Sequence, residues 1–307
     1  MKKFQRFLAL AAAGCMMLSL AACGEGSGKG DAGRPLQIAT KPITEQYILG
    51  HMLKQIIEDR TDYTCEVITG IAGGTNNIMP GMLSGEFDLY PEYTSSGYVL
   101  VLKHEDAVGV PDDEMWDVLQ KEYNEQLNMS WVGLYGFDGT YGVTVRRETA
   151  EQYNLKTCSD LTEISDQLVF GANPDYIERL DGYPHLCDVY DYQFKNAMGV
   201  DIGLRYAALM NKEIDVTNGF LTDAQLVAQD VVVLEDDKQA QASYLASTVV
   251  RNEALESHPG LEDALMLMDG ILTNEEMAHL NYLVEVEEQD ETQVAHDYLV
   301  EKGILSE

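Results

Sequence analysis

The sequence predicts an α/β fold of two units closed by a helical tail, and three observations lead there. Short apolar runs with strand character alternate with longer runs of helical spacing from residue 36 onward. That rhythm restarts near residue 141, and after Val249 only helical spacing remains. The stretch GEFDLYPEYTSS, Gly85 to Ser96, is echoed by KEIDVTNGFLTD, Lys212 to Asp223. Both read Glu, apolar, Asp, apolar, then three turn-type residues and an aromatic ring five positions after the Asp. Two units that end a strand in the same way suggest two lobes.

Leu36 to Thr40 reads as the first strand. Thr44 opens a helix that aligns Ile48, Leu49, Met52, Leu53, Ile56 and Ile57 on one face. A strand at Cys65 to Thr69 follows, then a helix from Thr75 to Leu83 entered through Gly73-Gly74, then a strand at Phe87 to Leu89. In the second unit, strands are expected at Tyr141 to Arg146, Leu168 to Gly171 and Ile214 to Val216, with helices between them. The tail is expected as helices at Leu261 to Asp269, Asn274 to Val286 and Thr292 to Lys302. Alternation of this kind gives mainly parallel sheets flanked by helices, and ligands of such sheets sit beyond the carboxyl ends of the strands. Tyr93 and Phe220 stand at those ends, aimed at one place from two sides.

Lys2, Lys3 and Arg6 precede an apolar run from Phe7 to Ala22 that is short for a membrane span and built like a secretory signal. The run ends LAAC, Leu20 to Cys23, which resembles the lipobox of bacterial lipoproteins. That resemblance makes residues 1–22 a signal peptide and Cys23 the lipidated first residue of the mature chain. A plain signal peptide is the alternative. Residues 23–35, rich in Gly and Ser, read as a flexible tether between the membrane and a folded body.

Asp plus Glu number 52 against 20 for Lys plus Arg, a net charge of -32, which argues against binding nucleic acid or an anionic membrane through a basic face. Most of this acid is a solvated surface. Beyond Cys15 and Cys23 the chain keeps Cys65, Cys158 and Cys187; Cys158 and Cys187 form a disulfide or remain buried thiols. No CxxC, HExxH, GxSxG or Walker pattern is present, so the sequence names no reaction, metal or cofactor.

The blocks ATKPITEQYILG, DLYPEYTSSG, GFDGTYGVTVR, GANPDYIERLDGYP, DIGLRYAALMNKEIDV and LEDDKQAQASYLASTVVR, in this order, resemble the osmoprotectant-binding proteins of ABC importers, which take glycine betaine, choline, carnitine and proline betaine. The resemblance covers Leu36 to the end. It implies a two-lobed periplasmic-binding-protein (type II) fold in which the chain crosses twice, near Gly139 and Leu245. Residues 36–138 and 246–307 then form lobe 1, and residues 139–245 form lobe 2. It implies a lipid-anchored extracytoplasmic receptor, not an enzyme, that hands a quaternary ammonium solute to an ABC permease. A receptor for another small solute such as an amino acid, or a membrane-anchored enzyme, is the alternative.

A trimethylammonium group has charge but no N–H, so the negative faces of aromatic rings suit it where hydrogen-bond acceptors do not. The family's aromatic box falls on Tyr93, Tyr141, Phe220 and Tyr244, with Phe220 where tyrosine is usual. Tyr90, Tyr98, Tyr183 and Tyr206 are expected to pack or to form a rim. By the same resemblance a ligand carboxylate meets Lys41, Ser96 and Arg179, with Gln46 as a further polar contact. Ser96 stands where betaine binders have threonine and keeps the hydroxyl.

Overall fold

A computed structural model describes residues 34–178 and 182–306. The segment expected as a signal peptide and most of that expected as a tether, with Cys23, lie outside the described residues, as does Arg179. Among the described residues ten strands form two five-stranded sheets. The first sheet holds β1 (Leu36–Ala39), β2 (Cys65–Ile68), β3 (Leu89–Tyr93), β4 (Met129–Asp138) and β10 (Leu245–Arg251) in the order β2-β1-β3-β10-β4. The second holds β5 (Tyr141–Arg146), β6 (Val169–Ala172), β7 (Asn196–Gly199), β8 (Val216–Phe220) and β9 (Val231–Leu234) in the order β7-β6-β8-β5-β9.

Both sheets are mixed, which corrects the expectation of mainly parallel ones. β1 runs parallel to β2 and β3, and β6 parallel to β7 and β8. β10 runs antiparallel to β3 and β4, and β5 antiparallel to β8 and β9. β5 and β10 are the strands that receive the chain from the other sheet, and each enters against the direction of its neighbours. β3 also lies later than expected, running from Leu89 to Tyr93. Pro91 masks it in the sequence, because proline seldom sits within a paired strand. β4 and the Asp112–Glu122 helix before it escape the sequence reading altogether.

Side chains alternate across the first sheet. Leu89, Tyr93, Val132 and Val250 join the Thr44–Arg60 helix and the C-terminal helices in one core, while Tyr90, Trp131 and Val249 join Ile78 and Met82 in the core on the opposite face. The helical face named from sequence is buried in full, with Ile48 to Ile57 in that first core. Two clusters flank the second sheet in the same way, around Phe170 and Tyr190 and around Leu209 and Ile214. The first tail helix is shorter than expected, Leu261–Leu265 followed by a tight turn of helix to Met268. The other two, Asn274–Glu285 and Glu291–Glu301, fall as the spacing predicts; Thr273 and Glu276 cap the first reciprocally, and Asp290 caps the second.

The two passages between the sheets lie side by side. Asp138, the last residue of β4, accepts the backbone N–H of Thr140 on the first passage at 3.0 Å and that of Tyr244 on the second at 2.7 Å. Gly139 N–H donates to the Tyr244 carbonyl at 3.0 Å, and the Thr140 hydroxyl donates to the Ala242 carbonyl at 2.5 Å. One carboxylate thus ties both crossing segments together. Burial holds its pKa up to about 6 despite those two backbone donors.

Cys65, Cys158 and Cys187 are all free, so the disulfide alternative for Cys158 and Cys187 falls. Burial pushes the thiols of Cys65 and Cys158 up to about 12, leaving them unreactive.

Candidate functional site

The sequence echo has a structural cause. Asp88 and Asp215 stand just before β3 and β8, and each accepts the N–H of a residue on the adjoining parallel strand: Gln37 at 2.9 Å for Asp88 and Val169 at 3.1 Å for Asp215. Each is also paired with arginine, Asp88 with Arg34 and Arg251, Asp215 with Arg146. The aspartate therefore sets where a strand starts, and the strand then carries its ring to the carboxyl end. Tyr93 closes β3 and Phe220 closes β8. Both rings line one cleft of about 500 Å³, together with Lys41, Ser96 and Tyr244. A smaller adjoining cavity of about 270 Å³ shares Ser96 and Tyr244 with it and adds Tyr141.

On the first-sheet side, Tyr93 is 8% exposed and its hydroxyl donates to the carboxylate of Glu45. Glu45 is buried on the first turn of the Thr44–Arg60 helix, and the Nδ2 of Asn281 also donates to it at 3.4 Å. Burial raises the Glu45 pKa above the ordinary carboxylate value, with the Tyr93, Thr222 and Asn281 contacts pulling against it. The same Asn281 Nδ2 donates to the Thr222 carbonyl at 2.8 Å, so a helix of the first core touches the turn that follows β8. Two acceptors on Nδ2 fix the amide's orientation and leave its Oδ1 buried without a partner.

Lys41 reaches the cleft but is answered from within the protein. Its ammonium pairs with the fully buried Glu92 and stands 4.5 Å from the centre of the Tyr93 ring. The second oxygen of Glu92 accepts the Thr75 hydroxyl at 2.7 Å. The charge expected to meet a ligand carboxylate is therefore compensated within the protein.

On the second-sheet side, Phe220 stacks on Tyr141 with ring centres 4.7 Å apart and 29° between planes. Tyr141 in turn lies 5.1 Å from Tyr176. The guanidinium of Arg205 stands 5.1 Å from the Phe220 ring centre and 5.4 Å from that of Tyr206. Asp223 gathers this group, pairing with Arg205 and accepting the Tyr206 hydroxyl at 2.7 Å and the Phe220 N–H at 2.8 Å.

Of the sequence-predicted residues, the structure brings Tyr93, Phe220, Tyr244, Lys41 and Ser96 to the cleft and Tyr141 to the adjoining cavity. Gln46 is fully buried beside them; its Oε1 accepts the Lys41 N–H at 3.4 Å, and it does not line the cleft. Tyr90 packs as expected, fully buried with its hydroxyl against the Met79 sulfur, and Tyr98 and Tyr183 are half-buried packing residues. Tyr206, grouped with them from sequence as a packing or rim residue, packs in the Leu209 and Ile214 cluster and lines the cleft. Glu45, Arg205, Asp223 and Asn281 were not singled out. Asp223 closes the echoed stretch itself, Glu45 lies inside the ATKPITEQYILG block and Arg205 inside the DIGLRYAALMNKEIDV block, so of the four only Asn281 had no signal to follow. Among the described residues no helix is long and apolar enough to cross a membrane, and no three His, Cys, Asp or Glu side chains are grouped to hold a metal ion.

Comparison with known proteins places this geometry in a lineage. Residues 34–301 match the family described as the substrate binding domain of ABC-type glycine betaine transport system. The ergothioneine transport permease/ergothioneine binding protein EgtU of Helicobacter pylori is 37% identical over 88% of the chain, and the chain spans about half that relative's length, 48%. The carnitine transport binding protein OpuCC of Listeria monocytogenes is 32% identical over 92% of the chain and 91% of its own. A crystal structure described as a glycine betaine/carnitine/choline ABC transporter superposes with a TM-score of 0.82 at 29% identity, over 88% of this chain and 99% of that one.

Proposed function

The chain belongs to the family of substrate-binding domains of ABC-type glycine betaine transport systems, and from that premise we propose that it captures a quaternary ammonium solute among Tyr93, Tyr141, Phe220 and Tyr244 and presents it to an ABC permease. One observation carries the assignment of the cleft: rings that end strands of two different sheets line a single cavity, with Tyr244 from the chain passage between them. Each cation–π contact contributes roughly 0.5 to 2 kcal/mol, so a four-ring cage supplies a large part of the ~8 kcal/mol that micromolar affinity requires. The residues proposed to meet the ligand's polar end are Lys41, Ser96 and Arg179, with Gln46 accepting the Lys41 backbone N–H.

The lobes are taken as residues 36–138 with 246–307 and residues 139–245. Ligand contacts from both sides favour the closed arrangement, the passages tied by Asp138 serving as the hinge. The family is one of transport substrate-binding proteins, not enzymes. Cys23, lipidated, anchors the receptor outside the cell membrane, and residues 1–22 are removed.

A second ligand is favoured by a specific observation. The cleft is lined by carboxylate acceptors that glycine betaine, with no N–H or O–H, cannot use: Glu45, Asp223 and Glu285. Ergothioneine, the solute in the name of one relative, joins a trimethylammonium group and a carboxylate to a ring bearing N–H groups, and carnitine adds a hydroxyl. Calorimetric titration of the soluble body with glycine betaine, carnitine, choline and ergothioneine tests the proposal. Binding of at least one is expected, with ergothioneine or carnitine ahead of glycine betaine; binding of none refutes it.

A further inference from the structure

The two passages are not the sole connection between the sheets. Thr222 stands two residues past Phe220, the ring that closes β8, and its carbonyl accepts Asn281 Nδ2 at 2.8 Å. Asn281 belongs to the Asn274–Glu285 helix, which packs on the short Gln225–Ala228 helix that follows this turn. Thr222, Asn281 and Glu45 are all buried, so water competes little for the contact.

An amide is a costly side chain at that position. Asn281 shares the buried face of its helix with Met277, Ala278 and Leu280, where an apolar residue packs without a polar penalty, and its Oδ1 has no partner. What offsets the cost lies on Nδ2. The Thr222 carbonyl and Glu45 Oε2, at 3.4 Å, both accept from it, so Glu45 keeps the donating end of the amide turned towards Thr222.

We infer that Asn281 is a positioning residue for ligand capture, a clasp that holds the Phe220 side of the cleft against the Tyr93 side through the Thr222 carbonyl. The clasp stabilises the closed arrangement and makes no ligand contact. A bond of that kind strengthens every ligand by the same factor, because each binds the closed arrangement and each gains equally from its larger population. Residues that meet a ligand's polar end discriminate between ligands; the clasp does not. This rests on the quaternary ammonium capture and the lobe assignment proposed above.

Asn281→Ala removes the donor and leaves a good helix former in its place. Small-angle X-ray scattering of the ligand-free variant should give a larger radius of gyration than the parent, and at saturating ligand the two radii should agree. Titration with glycine betaine, carnitine and choline should show one common loss of about 2- to 12-fold, the factor that corresponds to one net hydrogen bond. An unchanged ligand-free radius or an unchanged affinity overturns the inference, even if the variant melts earlier, since helix packing alone would do that. A loss confined to some of the ligands overturns it too, by making Asn281 a ligand contact. A parent that binds none of the three fails the function proposal itself, and the ligand-free radii still decide whether the clasp exists. Should circular dichroism show Asn281→Ala unfolded, Asn281→Ser, whose hydroxyl ends one bond short of the amide nitrogen, carries the same measurements and the same outcomes.

Discussion

Replacing Tyr93 by phenylalanine separates what the ring does from what its hydroxyl does. The ring and its packing stay, and a buried carboxylate, Glu45, loses its hydroxyl donor. Hydrogen bonds to charged groups contribute about 1.5 to 3 kcal/mol; Thr222 and Asn281 still face Glu45, the Asn281 contact at 3.4 Å being too long to replace the lost donor. In a chain of this size 1 kcal/mol moves Tm by about 2–4 °C, so Tyr93→Phe should lower Tm by roughly 3–12 °C at neutral pH. The deficit should depend on pH. Burial already raises the Glu45 pKa in the folded protein, and loss of the donor raises it further. A group whose folded pKa is raised costs stability above that pKa and nothing once protonated, so the deficit should shrink as pH falls from 7 towards the ordinary carboxylate value of about 4. Ligand affinity should behave otherwise. Tyr93→Phe should change it less than about threefold, while Tyr93→Ala, which removes the ring, should cost about 1 to 2 kcal/mol, or 5- to 30-fold. Differential scanning calorimetry at several pH values and isothermal titration measure the two effects. Equal weakening of binding by Phe and Ala would place the ligand contact in the hydroxyl, and a pH-independent Tm deficit would show that Glu45 is not its charged partner.

Phe220→Leu keeps apolar bulk but removes the face stacked on Tyr141, and should weaken trimethylammonium ligands about 3- to 10-fold by titration; unchanged affinity would confine that ring to packing. Asp138 has a folded pKa of about 6, above its ordinary value of about 4, so its contribution to stability is fullest at low pH and is lost as pH rises through that interval. Asp138→Asn, which can still accept from Thr140 and Tyr244, should flatten that part of the pH–stability curve; a slope identical to the parent's would assign it to other groups. Cys23→Ala should shift the protein from the membrane to the soluble fraction on cell fractionation, and equal membrane association of variant and parent would remove the lipid anchor.

The resemblance carried the family, the two-lobed fold and the choice of Tyr141 and Tyr244, while residue patterns alone pointed to Tyr93 and Phe220. An Asp five positions before an aromatic residue, twice, is a local arrangement, because a strand advances its side chains regularly from wherever its first hydrogen bonds set it. Asp88 and Asp215 set those starts, so the positions of Tyr93 and Phe220 could be read without knowing what lay opposite. The helical face from Ile48 to Ile57 was legible for the same reason, since its period repeats within a few turns. Strand direction was not legible. Whether a strand runs parallel depends on the end from which the chain re-enters a sheet, and β10 joins β3 across more than half the sequence.

The charges were decided by tertiary structure alone. Lys41 is answered by Glu92, 51 residues away, and the buried Glu45 by Tyr93, 48 away, and by Asn281, 236 away. A side chain's periodicity reports which way it points, but its electrostatic state depends on which charges come within a few ångströms once the chain has crossed and returned. Lys41 and Arg205 look alike as cations in the sequence. Folding sets one against Glu92 and the other against Asp223, and buries two nitrogens of the latter cation without a hydrogen-bond partner.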